Sequence, residues 1–406
     1  MGMFAPAVRA ALTEDDFFRD DFGRSTVSGQ RVSATSSTRV TVVLRCVKLL
    51  TDVISTLSKD VVISIGGQRF TEFQRPQWLT SPTPADPSIT DVEHFSQVVG
   101  AMALEGDSFT FVPDGIHPLD GIVGRGYLEV LDPRHVNVRR GPLYDILDQY
   151  GRVVETVGPD RMLHISWYRP AGRLRGLSPI EEARQAVGLA LGTEEFAARF
   201  FGQGATMALG VEVPGALTSA QRDDLREGLE GLYSGTRNAH RIGVVTGGAK
   251  LVTGLGVNND QAQFLESRKF SVEDIARLFG VPPHLVGSQE PGASSYSSVE
   301  QRSLEFAKFN IAPWVSRIAA QYSRLVSVPE RLEGTGATAR FAMDLRSLER
   351  ADIKTRYEAY SLAVGGPWLE PNVPRALEDL PPIAGGDSIH VQSQMVPLGT
   401  TQEDAA

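Results

Sequence analysis

The feature that most constrains the fold is a pair of long helical patterns bracketing a short, turn-rich segment. The first opens at Ser178-Pro179-Ile180-Glu181: a hydroxyl cap, a proline in the first turn and an acid three residues after the cap. Ile180, Ala183, Val187, Leu191, Ala198 and Phe201 recur at helical spacing, and Gly202 and Gly204 stop the run. Such a helix is about 36 Å long, more than a small globular unit requires. Ala186, Gly188, Ala190, Gly192 and Ala197 keep much of its surface small, so another element can approach closely. The second pattern begins near Asn258, with Gln261 as its capping partner. It either continues to Phe279 or restarts at Ser271, and Gly280, Pro282 and Pro283 end it. Between the two, the pattern predicts a β-α-β-β module: a strand at 209–213, a helix capped by Thr218 and Gln221, and a hairpin of 242–245 with 250–253 over Gly247-Gly248. The module therefore sits at the end of an antiparallel helical stalk. A ring that encloses a tunnel needs such a stalk; an enzyme core rarely does.

Before the stalk the pattern is a mixed α/β domain. Val43, Cys46, Val47, Leu50, Ile54 and Leu57 form one apolar stripe, with Arg45, Lys48 and Asp52 on other faces. A hairpin turning at Gly66-Gly67 follows, then a Pro-rich loop. Thr90 and Glu93 open a helix with Val92, Phe95, Val99 and Met102 inward. Strands are predicted at 108–112, 127–131, 136–138, 152–157 and 162–167. After the stalk, residues 288–298 are a Gly/Ser-rich loop. A helix from Val299 to Val326 follows, with Pro313 kinking or splitting it. A strand at 340–343 and helices at 350–364 and 372–377 complete the ordered part. Residues 1–36 read as a disordered arm and 388–406 as a disordered tail.

The bulk properties narrow the function. The chain has 406 residues, 41% apolar and 22% charged, and a net charge of −9. A protein that grips nucleic acid over its whole surface needs a basic footprint, and this chain has none. Cys46 is the sole cysteine, so neither an intramolecular disulfide nor a multi-thiolate zinc site can form. No basic and apolar leader opens the sequence, and no apolar run approaches the ~20 residues of a membrane span. The seven histidines have no ligand spacing, and there is no Gly-x4-Gly-Lys-Ser/Thr phosphate loop, so no cofactor is expected and any energy for transport comes from a partner.

Six stretches in order resemble the portal proteins of long-tailed phages. They are Arg45-Cys-Val-Lys-Leu-Leu-Thr-Asp-Val-Ile-Ser, Met162-Leu-His-Ile with Gly176-Leu-Ser-Pro-Ile-Glu-Glu-Ala-Arg, Phe200-Phe-Gly-Gln-Gly-Ala, Asp274-Ile-Ala-Arg-Leu-Phe-Gly-Val-Pro-Pro-His-Leu-Val-Gly, and Leu362-Ala-Val-Gly-Gly-Pro-Trp-Leu-Glu-Pro-Asn. Gly106-Asp-Ser-Phe departs from the family pattern, which more often has Asn and an aromatic there. The resemblance implies an α+β portal fold. Residues 37–177 become a wing, 178–205 and 258–287 two stem helices, and 206–257 a clip. Residues 288–298 become a tunnel loop, 299–345 a kinked tunnel helix with a return to the wing, and 346–387 a crown. It further implies a homo-oligomeric ring, twelve-fold in the virion, at one capsid vertex. The expected partners are double-stranded DNA held weakly in the channel, the terminase large subunit, the major capsid protein and a head-tail adaptor, with no membrane. Gln289, Glu290, Gly292, Ser294, Ser295 and Tyr296 become the channel-lining loop. Arg222, Arg241 and Lys250 become docking residues on the clip.

Two other readings remain open on residues alone. A hydrolase on the N-terminal domain needs Asp132, His135 and His164 to converge. A ring-forming adaptor unrelated to DNA needs only the stalk. His164 lies in an apolar run, as a satisfied core histidine does, and His135 follows Asp132-Pro133 as a turn residue does.

Overall fold

The computed structural model describes residues 24–389 except 67, 72–74, 84–85, 114–127, 203–209, 213–217, 225–226, 228–249, 253–260, 289–295, 346–347, 349–352, 367 and 379. The chain divides into two compact units. One comprises 1–294 with 308–344, the other 295–307 with 345–406.

The first unit opens with a small hairpin, β1 (Arg24–Ser25) and β2 (Arg31–Val32), then α1 (Ala34–Ser37), capped reciprocally by Ser33 and Ser36. Residues 24–36 are thus ordered, against the expectation of a disordered arm. The reason lies on the stalk. The hairpin rests on the first long helix, where Ser28 Oγ donates to the carbonyl of Gly188 at 2.8 Å and Val27 N to Gln185 Oε1 at 3.1 Å. A Cβ at Gly188 would lie 2.7 Å from Thr26 Oγ1, so the small face of that helix accommodates this hairpin.

The core of the unit forms around two helices packed directly together, α2 (Thr41–Ser55) and α3 (Asp91–Glu105), which a strand pair and one helical turn connect along the chain. On α2 the predicted stripe is buried, with Cys46, Leu50 and Ile54 fully so. Burial raises the Cys46 thiol to about 12, which leaves it an inert hydrophobe at neutral pH. Thr90 Oγ1 accepts from Glu93 N at 3.2 Å, as the capping pattern predicts. Val98 and His94 are buried on this helix, whereas Val92 in its first turn is 40% exposed. Strands β3 (Ser58–Ile65) and β4 (Gln68–Thr71) form the expected hairpin, and β3 also pairs antiparallel with a strand from far along the chain, Thr338–Asp344.

A second sheet has the order β10-β5-β6, from β5 (Asp107–Phe111), β6 (Glu129–Leu131) and β10 (Met162–Ser166). A third has the order β7-β8-β9, from β7 (Val136–Arg139), β8 (Leu143–Leu147) and β9 (Val153–Val157). Strand β8 was not anticipated, because Asp145 interrupts its apolar pattern. That carboxylate is buried yet accepts from Arg139 Nη2 and Thr156 Oγ1 on the flanking strands, which removes the cost of burying it.

The stalk differs from expectation in one respect. Its first helix is divided: a turn at Pro179–Glu182, a break at Ala183 (φ −93°, ψ 12°), then α4 (Arg184–Gly202). The first turn belongs to the α/β body, since Ser178 Oγ donates to the Leu104 carbonyl at 2.8 Å while accepting from Glu181 N. The long helix starts only beyond that tether. Strand β11 (Gly210–Glu212) pairs antiparallel with β12 (Lys250–Val252), and residues 219–224 are helical behind a reciprocal Thr218–Gln221 cap. The 242–245 strand of the predicted hairpin lies outside the described residues. Helix α5 (Gln261–Phe279) is continuous through Ser271, packs on α4, and ends at Gly280 with φ +64°.

The kink expected at Pro313 takes a definite form. A helix α6 (Tyr296–Glu305) passes into a π-helical segment, Phe306–Ile311, and then α7 (Ala312–Tyr322). Proline has no N–H to offer the carbonyl four residues back and crowds it, and a wider turn upstream absorbs the mismatch. Asn310 in that wide turn donates through Nδ2 to the Gly280 carbonyl. Helix α7 buries Trp314, Val315, Ile318 and Tyr322, and Trp78, Phe95, Tyr322 and Phe341 form an aromatic cluster with ring centroids 4.9–5.9 Å apart. Each large apolar side chain buried here contributes roughly 1.5–3 kcal/mol. Strand β13 (Thr338–Asp344) carries Phe341 into the cluster.

In the second unit, α8 (Ile353–Gly365) and α9 (Asn372–Leu377) are joined by an ionic contact. Arg356 Nη2 donates to Glu378 Oε2 at 2.7 Å, and Tyr360 OH to Glu378 Oε1 at 3.1 Å. Asn372 pins the segment that follows: its Nδ2 reaches the Ile383 carbonyl and Asp387, and its Oδ1 accepts from Ile383 N.

Candidate functional site

The densest polar constellation lies where the stalk leaves the α/β body, and its centre is Asp107. This carboxylate is fully buried at the head of β5, one residue after the helix-ending Gly106. It accepts from Gly176 N at 2.9 and 3.0 Å, from His164 Nε2 at 3.0 Å and from Arg175 Nε at 3.3 Å. Burial alone would raise its pKa. The His164 hydrogen bond and the charges of His164 and Arg175 outweigh that and hold it below the usual carboxylate range. Arg175 extends further, to the Val136 carbonyl at 3.2 Å and the Pro133 carbonyl at 3.1 Å, with its guanidinium over the Phe109 ring. His164 stacks on the same Phe109 ring, centroids 4.4 Å apart.

Three local facts produce this arrangement. Gly106 has φ +82°, and a Cβ there would fall 2.0 Å from the Leu177 carbonyl oxygen, so only glycine lets the helix end this close to the stalk root. The pairing of β10 with β5 places Ser166 opposite Asp107, which brings His164 into range from two residues away. Gly176 donates its own N–H, which fixes the segment leading to the Ser178 cap. The hydrogen bonds of this centre run to groups within the protein, and they hold the stalk root in place.

The hydrolase reading is not supported by this geometry. Asp132 turns onto Arg134, Nη2 to Oδ2 at 2.7 Å, and caps the short 3-10 turn Pro133–His135. His164 is committed to Asp107. Among the described residues no group of three or more His, Cys, Asp or Glu is placed to hold a metal ion. Also among them, no helix is long and apolar enough to cross a membrane.

Of the sequence-predicted site residues, Gln289, Glu290, Gly292, Ser294, Ser295 and Arg241 lie outside the described residues. Tyr296 is the first residue of α6, so the helix begins three residues earlier than the Val299 expected, inside the segment read as a loop. Arg222 is exposed on the first turn after the Thr218 cap. Lys250 opens β12 opposite Glu212 in the β11 register.

On α4 the buried residues Val187 and Ala190 lie in the N-terminal half, and among the residues of α5 whose burial is described, 270–279, Ile275, Ala276 and Phe279 are buried. The chain leaves the body after the tethered turn at Pro179–Glu182 and meets it again at α5, which contacts α2. Farther out, Phe196 and Phe270 are 52% and 60% exposed, a large apolar cost for a free chain. Sequence reasoning missed both these residues and Asp107. The signal for the latter was the charged Arg175 set directly before the Gly176 motif.

Comparison with known proteins agrees with this architecture. A family model described as phage portal protein matches residues 41–379. A probable portal protein of Streptomyces phage phiC31 is 33% identical over 379 residues, covering 90% of this chain and 80% of the relative. The portal protein of Enterobacteria phage HK97 is 34% identical over 238 residues, 57% of this chain and 54% of the relative. Among solved structures, a chain in the neck of a native gene transfer agent particle, computed with C12 symmetry, aligns with a TM-score of 0.55 at 21% identity, covering 86% of this chain and 94% of that one. The match of the family model over residues 41–379, with the phiC31 relative along most of the chain, places this chain in the phage portal protein family.

Proposed function

We propose that the chain is the subunit of a ring, twelve-fold in the particle, that forms a passive conduit for double-stranded DNA at one capsid vertex. The observation that carries this is the stalk itself. A helix pair is rooted by the Asp107 centre, carries a small β-paired module at its far end, and exposes Phe196 and Phe270 to whatever stands beside it. Copies set side by side around an axis cover such faces and leave a channel along it. The twelve-fold symmetry used for the gene transfer agent neck supports the same stoichiometry for this chain.

In this reading residues 37–177 form the wing, 178–205 and 258–287 the stem, 206–257 the clip and 346–387 the crown. The net charge of −9 favours sliding over tight phosphate binding, because a grip on DNA needs many Lys and Arg contacts. The role is structural: the chain supplies the walls, and a terminase motor docked at the clip through Arg222, Arg241 and Lys250 supplies the work. The major capsid protein surrounds the ring, and a head-tail adaptor takes the motor's place once the DNA is in. The ring assembles in the host cytoplasm and stays in the virion. Residues 289–296 restrain the DNA against return.

Deleting 289–296 tests the conduit. Rings of normal size should form, seen by negative-stain microscopy, while particles lose packaged DNA. Full genome retention by that variant refutes the role given to the loop.

A further inference from the structure

Helix α4 is fastened to the body at two places of different character. The first is the joint at its base. The turn Pro179–Glu182 is fixed to the body through Ser178, and Ala183 leaves helical geometry before α4 begins. Residues at the end of an element, as here, are where a hinge absorbs a change of φ and ψ. The second fastening is the hairpin β1–β2. It meets α4 at Gln185, Gly188, Gly192 and Glu195, which are three, four and three residues apart. That spacing keeps the hairpin on one face of the helix for about 15 Å.

The hairpin is held unequally at its two ends. Toward the body it is rigid. Val32 is buried, and only 33–40 separate it from α2, with α1 capped by Ser33 and Ser36 and with Ser37 and Val40 buried. Toward α4 it is held by Val27 N to Gln185, Ser28 Oγ to the Gly188 carbonyl, and Gln30 Nε2 to Glu195 Oε2 at 2.5 Å. These bonds lie at or near the surface, where water competes for the same groups, so each contributes little by itself. The buried Thr26 adds its Cγ2 against Gly188.

A connection that is firm at one end, releasable at the other and laid across a joint is a strap. We infer that β1–β2 holds α4 at a fixed angle to the body, and that release of the hairpin lets α4 lean about Ala183. The strap belongs to a single chain and goes beyond the conduit reading. In a ring of such stalks a common lean widens or narrows the passage; that consequence rests on the ring reading, whereas the strap itself does not.

Two variants of the full-length protein test it, one lifting the hairpin and one locking it. Gly188→Leu puts a side chain where Thr26 stands. Ser28→Cys with Gly192→Cys sets two thiols on β-carbons 3.6 Å apart, within disulfide range, and the fully buried Cys46 does not compete. Amide hydrogen exchange is followed on peptides covering 183–192, with 41–55 on α2 as the reference. Gly188→Leu should speed exchange at 183–192 on the order of tenfold and leave 41–55 unchanged, and the oxidised cysteine pair should slow it on the order of tenfold relative to the same protein reduced. Electron spin-resonance distances separate lean from local fraying. Nitroxides go on Lys48→Cys and Ala198→Cys, two exposed positions, with labelled chains diluted into unlabelled ones so that each pair reports within one chain. The distance distribution should be narrow with the native hairpin and broadened or displaced by several ångströms in Gly188→Leu. An unchanged distribution overturns the inference, and so does an oxidised pair that exchanges as fast as the reduced one. A disulfide that does not form overturns it too, because the hairpin is then not seated on α4. If Gly188→Leu also disturbs 41–55, the comparison of oxidised with reduced protein decides alone.

Discussion

His94 makes the body of this protein acid-sensitive. Its side chain is buried on α3 against α7, with Nε2 2.7 Å from the Tyr322 hydroxyl and Nδ1 without a hydrogen-bond partner. Burial lowers its pKa from 6.5 to about 3, with Asp91 opposing the shift and Lys59 adding to it. A histidine depressed in the folded state takes up its proton more readily when unfolded. Stability therefore falls as pH drops below the unfolded value near 6.5, and the loss is complete only below about 3. The difference of roughly 3.5 units corresponds to about 5 kcal/mol in full, and to about 2 kcal/mol by pH 5. His94→Gln retains a group that can bond Tyr322 and removes the titration. Urea unfolding at pH 7.5 and pH 5.0 should show the wild type losing about 2 kcal/mol more than His94→Gln over that interval. Equal losses in the two proteins would falsify the assignment, since the sensitivity would then come from carboxylates common to both.

Three further experiments probe the stalk and its root. Gly106→Ala forces a side chain both into φ +82° and against the Leu177 carbonyl, so it should cost about 4 kcal/mol or prevent folding, while Gly141→Ala, at φ +97° in open space, should cost about 1 kcal/mol; thermal melts distinguish them. Asp107→Ala strands the buried Arg175 charge and should destabilise the protein by about 3–5 kcal/mol, and adding Arg175→Met should recover part of that, so that a double-mutant cycle in urea gives a loss smaller than the sum of the two. Gly188→Leu should lift the N-terminal hairpin from α4, raising the rate of tryptic cleavage at Arg24 and Arg31 at least tenfold with little change in the midpoint of unfolding; unchanged cleavage would mean that the hairpin does not depend on that contact.

The elements were more legible than their joints. The stripe on α2, the Thr90 cap and the Gly280 stop are all written in local spacing, because each depends on residues within a turn or two of one another. The misread places depend on contacts across long separations. Residues 24–36 look disordered in isolation, and become ordered because Gly188, some 160 positions on, leaves room for Thr26 and Ser28. Asp145 breaks a strand pattern until Arg139 and Thr156 are seen beside it. Asp107 looked like a departure from a family pattern, and its meaning appears only with Arg175 and Gly176 in contact. The helix break at Ala183 arises in the same way, from a tether to Leu104 that no local rule contains.

The pairing of β13 with β3 has a consequence for timing. Strand β3 ends at Ile65 and its partner begins only at Thr338, so most of the polypeptide is made between the two halves of one sheet. Closing so long an interval is slow, and the aromatic cluster lacks both Tyr322 and Phe341 until it happens. A ribosome that stalls within the stalk or the module beyond it releases a fragment with an open body. The body is therefore closed only in chains translated past Asp344, and a shorter chain leaves β3 with an open edge.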